Sequence, residues 1–76
     1  MKTYRIEWPA PAGAADEGKM RWVGNYAGVS SKAALTAAKR ENRASHGDSA
    51  AMRQYRASMV AAKEVRYQSR YSHRAG

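Results

Sequence analysis

Ser45, His46 and Asp48 fall within the five-residue run SHGDS. These are the residue types of a hydrolytic triad, in which a histidine takes the proton of a serine hydroxyl and a carboxylate orients the histidine. The spacing argues against that chemistry. Neighbours in a tight turn project their side chains in different directions, whereas triad members converge from separated parts of a chain. Gly47 suits the backbone conformation that closes a helix. Asp48 or Ser49 suits the cap of the next helix, accepting hydrogen bonds from its free N–H groups. SHGDS is therefore read as a helix stop followed by a helix start.

The other reactive groups give no catalytic set. There is no cysteine, hence no thiolate nucleophile, disulfide or cysteine-bound zinc. His46 and His73 are the only histidines, and with Asp48 they are too few and too loosely placed for a metal centre. GNYAGVSSK lacks the spacing of a phosphate-binding P-loop. Six acids stand scattered along the chain, three of them in the first 18 residues, with no pair set up for acid–base work. The expectation is a protein without cofactor, metal or small-molecule substrate.

What the sequence does concentrate is positive charge. The net charge is +8 over 76 residues. Residues 1–18 carry two basic and three acidic side chains, and residues 19–76 carry twelve basic and three acidic ones. On a helical projection Lys32, Lys39 and Arg43 share a narrow arc. Arg53, Arg56 and Lys63 repeat the feature in the next helical segment, and Arg66, Arg70 and Arg74 extend it into the tail. Such a surface favours an anionic partner, either nucleic acid or an acidic protein patch. The competing interpretation of each row is an ordinary solvated helix face. Arg66-Tyr67-Gln68-Ser69-Arg70-Tyr71 interleaves cations with aromatics that would either stack on bases or serve a core short of large residues.

The elements that must position these cations follow from periodicity. Thr3 to Trp8 alternates, with Tyr4, Ile6 and Trp8 on one face, as in a half-buried strand. Pro9 and Pro11 end it, and PAPAGAADEG reads as a flexible loop. Met20 to Tyr26 alternates again, placing Met20, Trp22, Gly24 and Tyr26 on one face, so both tryptophans are expected inside an antiparallel pair. Gly28 breaks the strand, and Ser30 or Ser31 caps a helix whose apolar stripe is Ala34, Leu35 and Ala38, with Val29 placed to staple its first turn. Met52, Tyr55, Met59 and Ala62 keep helical spacing, so a second helix is expected to end near Lys63. Val65, Tyr67, Ser69 and Tyr71 then alternate as a third strand, with one long helix through about Arg70 as the alternative.

These elements make one α+β domain, 1–76, in the order β-β-α-α-β, with two helices on one face of a small antiparallel sheet. Six residues in all are Ile, Leu or Val, and Phe is absent, so the core must be thin and built largely from the 16 alanines and a few aromatics. The start MKTYRIEWPA has no uninterrupted apolar run of the kind a signal peptide needs, and no stretch approaches the ~20 apolar residues of a membrane span. Together with the missing disulfide staples, this places the expected site of action in the cytoplasm.

The layout of a short opening strand (KTYRIEW), a second strand and a Ser-capped Ala/Lys helix (SSKAALTAAKRE), in a cysteine-free chain of this size, resembles small phage-encoded proteins. Among them it is similar to the anti-CRISPR inhibitors of type I surveillance complexes. The resemblance covers mainly residues 2–43 and carries no diagnostic motif. It implies a non-enzymatic protein in the bacterial host cell that docks on a subunit of the Cascade complex and blocks recognition of target DNA. A charge of +8 departs from the acidic, DNA-mimicking members and excludes mimicry here. A basic inhibitor would occupy an acidic subunit surface or hold DNA non-productively. Apolar anchors for such an interface are expected at Tyr26, Val29 and Tyr71, near the ends of strands. The alternative from another class is a basic module that binds DNA or RNA itself. A small nuclease-type toxin using His46 with Arg and Lys is a third reading.

Overall fold

The computed structural model describes residues 1–66. The elements run β1 (Lys2–Pro9), β2 (Met20–Gly28), α1 (Ser31–His46), α2 (Ala50–Ser58) and β3 (Val60–Val65). The three strands form one antiparallel sheet in the order β2-β1-β3, with β1 central. The α+β class and the β-β-α-α-β order match the sequence expectation. Both helices lie over one face of the sheet. The core there consists of Ile6, Ala34, Ala38 and Met59, with Tyr4, Val23, Tyr26, Leu35, Tyr55 and Ala61 packed around it. Among the described residues no helix is long and apolar enough to cross a membrane.

A core this small needs close approach, and alanine and glycine provide it. Ala34 and Ala38 are completely buried where α1 meets the sheet. Gly28, at the end of β2, sits so near the start of α1 that a Cβ there would lie 2.6 Å from the Ala34 amide nitrogen. The helix starts at Ser30, whose hydroxyl accepts from the Ala33 N–H at 3.2 Å. Val29 does not staple it, since its side chain stays 79% exposed.

The sheet departs from simple alternation at two places. In the β1–β2 pair, Ile6 faces Gly24 but Glu7 faces Trp22, so Val23 is an extra, bulged residue. The bulge inverts the side-chain parity of everything before it in β2. Val23 turns to the core, and Trp22 is moved to the opposite face, where it is 56% exposed. The expectation that both tryptophans lie inside is corrected accordingly. Trp8 keeps to the covered face, edge-on to Tyr55 with centroids 4.7 Å apart, and the Arg21 guanidinium lies 5.4 Å from the Trp8 ring centre.

The second departure lies between β1 and β3, where Arg5 faces Lys63 but Ile6 faces Ala61. Here the third strand begins earlier than alternation indicated. Helix α2 ends at Ser58, whose hydroxyl donates to the Tyr55 carbonyl at 2.7 Å. Met59 turns to extended backbone and buries its side chain. Helical spacing alone carries the pattern through to Lys63. Pairing with the free edge of β1 satisfies the backbone of 60–65 instead. Lys63 is therefore a strand residue and not part of α2. Tyr67, Ser69 and Tyr71, expected to continue this strand, lie outside the described residues.

The connection between β1 and β2 is folded into turns. Ala10 N–H donates to the Lys19 carbonyl at 2.9 Å and successive turns fill the interval. Arg21 grips Asp16 through two hydrogen bonds of 2.8 Å, and that grip holds the Asp16 carboxyl below its ordinary range.

Candidate functional site

The SHGDS run is a helix junction, with its parts redistributed. Gly47 closes α1 at φ +82°, its N–H donating to the Arg43 carbonyl at 2.9 Å. Ser49 is the cap of α2, accepting from the Met52 N–H at 3.2 Å. Asp48 is not a cap. Its carboxylate receives a hydrogen bond from Arg56 and stands 3.7 Å from the Arg43 guanidinium and 3.8 Å from that of Arg53. No hydrogen bond joins His46 to Ser45 or Asp48, so the three triad residue types do not form a relay.

Arg56 explains how the junction holds. It is 8% exposed, and its guanidinium donates to the Asn42 side chain at 2.8 Å, to the Gly47 carbonyl at 2.8 Å and to Asp48. A buried cation is tolerable only when its donors are matched in this way. Arg56 ties the end of α1 to α2 and has little left to offer a partner, unlike its expected role.

The remaining cations converge on one feature. The groove between α1 and α2 has a volume of about 560 Å³ and is lined by Thr36, Lys39, Arg40, Arg43, Asp48, Arg53, Arg56 and Ala57. Arg43 and Arg53 reach it from different helices, with side chains 69% and 60% exposed. Lys39 and Arg40 have no carboxylate partner among the described residues. A depression along the outer side of α1, lined by Ser30, Lys32, Ala33, Thr36, Ala37 and Arg40, shares Thr36 and Arg40 with the groove. Together they form one basic strip from Lys32 to Arg53.

The sequence-predicted site residues divide accordingly. Lys32, Lys39, Arg43 and Arg53 lie on the strip. Arg56 supports it from beneath. Lys63 lies elsewhere, opposite Arg5 on the open face of the sheet. Arg66 follows β3, with its guanidinium 3.8 Å from Glu64. Arg70 and Tyr71 lie outside the described residues. Val29 is exposed beside the start of α1. Tyr26 is half-buried, and its phenol is pushed up to about 12 by its hydrogen bond with Glu41, reinforced by burial and by the Glu41 charge. Arg40 went unnoticed in the sequence. Its signal was the i, i+4, i+8 series Lys32, Thr36, Arg40, which runs beside the Lys32, Lys39, Arg43 arc on the same exposed side.

No family model, curated protein or solved structure matches the chain.

The strip can therefore be interpreted only by its own chemistry. Guanidinium and ammonium groups mounted outward on packed helices can bind an extended anion. Among the described residues no cluster of His, Asp and Glu could hold a metal ion.

Proposed function

We propose that the protein is a non-catalytic docking protein of anti-CRISPR type, which binds a type I CRISPR–Cas surveillance complex in the cytoplasm of the bacterial host and blocks recognition of target DNA. The observation that supports this reading is the basic strip. The two helices that carry its cations are tied together by Arg56 at the α1–α2 junction, and Lys39 and Arg40 have no carboxylate partner among the described residues. The anti-CRISPR assignment rests on the β-β-α layout of residues 2–43 and on small size.

The alternative, a basic module that binds DNA or RNA unaided, is separated by salt. A purely electrostatic contact with phosphates weakens steeply between about 50 and 200 mM salt. An interface with a protein complex also buries apolar groups that screening leaves intact. Exposed Val29 beside the strip is one such group. The test is a pair of titrations, one with duplex DNA and one with a purified type I surveillance complex. At about 150 mM salt, binding to the complex is expected to persist while binding to bare duplex is no tighter than roughly micromolar, the range of non-specific contacts. Nanomolar binding to bare DNA with none to the complex would overturn the inhibitor reading. His46→Ala is expected to leave complex binding unchanged.

A further inference from the structure

We infer that the basic strip is a phosphate-backbone site: Arg43 and Arg53, reaching across the α1–α2 groove, and Lys32, Lys39 and Arg40 along α1 together take a run of nucleic-acid phosphates. This deepens the docking reading above and rests on it only in treating the strip as the binding surface.

Three observations support phosphate over an acidic protein patch. The first is spacing. From Lys32 to Arg43 the helix rises about 16 Å at 1.5 Å per residue. A duplex strand rises about 3.4 Å per phosphate and winds through about half a turn over that length, so a straight strip follows the part of that run on the near side of the duplex. Over that span α1 carries four cations, Lys32, Lys39, Arg40 and Arg43, along two depressions that share Thr36 and Arg40, and Arg53 adds a fifth from α2. Carboxylates on a folded protein have no such linear repeat.

The second is convergence. Arg43 and Arg53, from different helices, both approach the same Asp48 oxygen, but at 3.7 and 3.8 Å, longer than a hydrogen bond. Both side chains are exposed by more than half; Arg53 donates to the Asp48 backbone carbonyl at 2.6 Å, and each guanidinium, with five N–H donors, keeps others for a ligand. Two exposed guanidiniums flanking one groove, each with donors beyond those that Asp48 engages, suit the several acceptor oxygens of a phosphate.

The third is rigidity. Arg56 occupies Asp48, Asn42 and the Gly47 carbonyl from below, so the groove floor is fixed by the fold.

The test uses the full chain and a labelled duplex oligonucleotide, titrated from about 50 to 200 mM salt. The variant Arg43→Gln/Arg53→Gln is compared with Lys19→Gln/Lys63→Gln, which removes the same charge from positions off the strip. The strip variant is expected to lose at least tenfold in affinity. The slope of log K against log salt should become shallower by about 2, near one per cation removed. The control pair should change by less than twofold. A polyglutamate peptide of matched charge should compete poorly with the oligonucleotide. Equal loss in both variants would show that net charge and not the groove is responsible, and would overturn the site. Equally good competition by polyglutamate would assign the groove to carboxylates and overturn the phosphate inference. Circular dichroism confirms that both variants fold. The same variants are then titrated with the surveillance complex. Complex binding with a failed oligonucleotide arm removes this inference alone, and a localised oligonucleotide site with no complex binding removes the docking reading alone.

Discussion

On the covered face of the sheet, Ile6 is completely buried against two alanines of α1 and the side chain of Met59. On the open face, less than one sheet thickness away, Trp22 is 56% and Val60 44% exposed, beside Arg5, Glu7 and Lys63. The larger apolar side chain lies outside and the smaller ones inside. An arginine, Arg56, is more buried than either tryptophan. In a domain with so few branched aliphatics, hydrophobicity alone does not assign the interior. Closeness of approach does. Alanines let α1 settle on the sheet, whereas the open face lacks an element to cover it among the described residues. Its one aromatic is instead fitted with local partners: the Trp22 indole N–H donates to Asn25 at 3.2 Å and the Arg5 guanidinium lies 5.9 Å from its ring centre.

The strongest way to break this comparison is to truncate one side chain on each face. Ile6→Ala is expected to cost ~2–5 kcal/mol, from lost burial and the cavity left behind. In so small a domain that would leave much of the population unfolded. Trp22→Ala, which removes a larger group, should cost less than about 1 kcal/mol, the scale of an exposed cation–π contact. Urea denaturation measures both. Similar costs for the two would mean that the open face is covered in solution.

A smaller effect separates two glycines. At Gly28 an added Cβ would press on the backbone of Ala34 and Ser30, at 2.6 and 3.0 Å, and the helix itself would have to move. At Gly24 the added atom would meet the Tyr26 ring at 2.9 Å, and a side chain can swing aside. Gly28→Ala should destabilise by ~1–3 kcal/mol, the usual cost of overpacking. Gly24→Ala should cost distinctly less under the same denaturant titration, and a reversed order would refute the close-approach account of α1.

Next comes binding rather than stability. Lys32→Glu, Lys39→Glu and Arg43→Glu together should leave the circular dichroism spectrum intact and weaken partner binding at least tenfold, about 1.4 kcal/mol. Lys63→Glu, on the opposite side of the molecule, should alter it less than twofold. If the triple variant folds and binds normally, the strip is only a solvated face.

Much of this was readable in advance, and the failures have a common cause. Local rules found β1, each helix cap to within two neighbouring residues, the Ala34–Ala38 stripe and the closing Gly47, because each depends on neighbours within a turn. The parity of Trp22 was missed because a bulge depends on which residue of β1 it must face. The start of β3 was missed because Met59, Val60 and Ala61 fit a helix locally and become strand only when the free edge of β1 is present. At the candidate site the helical cations were visible by spacing. The demotion of Arg56 to a buried tie was not, since its acceptors, Asn42, Gly47 and Asp48, lie eight to fourteen residues away.

The smallest expected effect probes the polar edge of the covered face. Tyr26 lies between the sheet and α1, and its hydrogen bond with Glu41 moves its ionisation from an ordinary 10.0 up to about 12. Ionising the phenol would end that donation and set two negative charges side by side. In the unfolded chain the phenol loses its proton near pH 10, while in the folded chain it keeps it up to about 12. Between these limits the folded form binds more protons, so its stability falls with rising pH. The contribution of this contact is therefore intact below pH 10 and lost as the pH passes through about 12. A spectroscopic titration of tyrosinate should show one late step in the parent that Tyr26→Phe lacks. Lysines also deprotonate in this window, so the informative quantity is the difference between the parent and Tyr26→Phe at each pH. A parent in which every tyrosine titrates near 10 while the fold persists would show that Tyr26 faces water, and that the covered face ends short of Glu41.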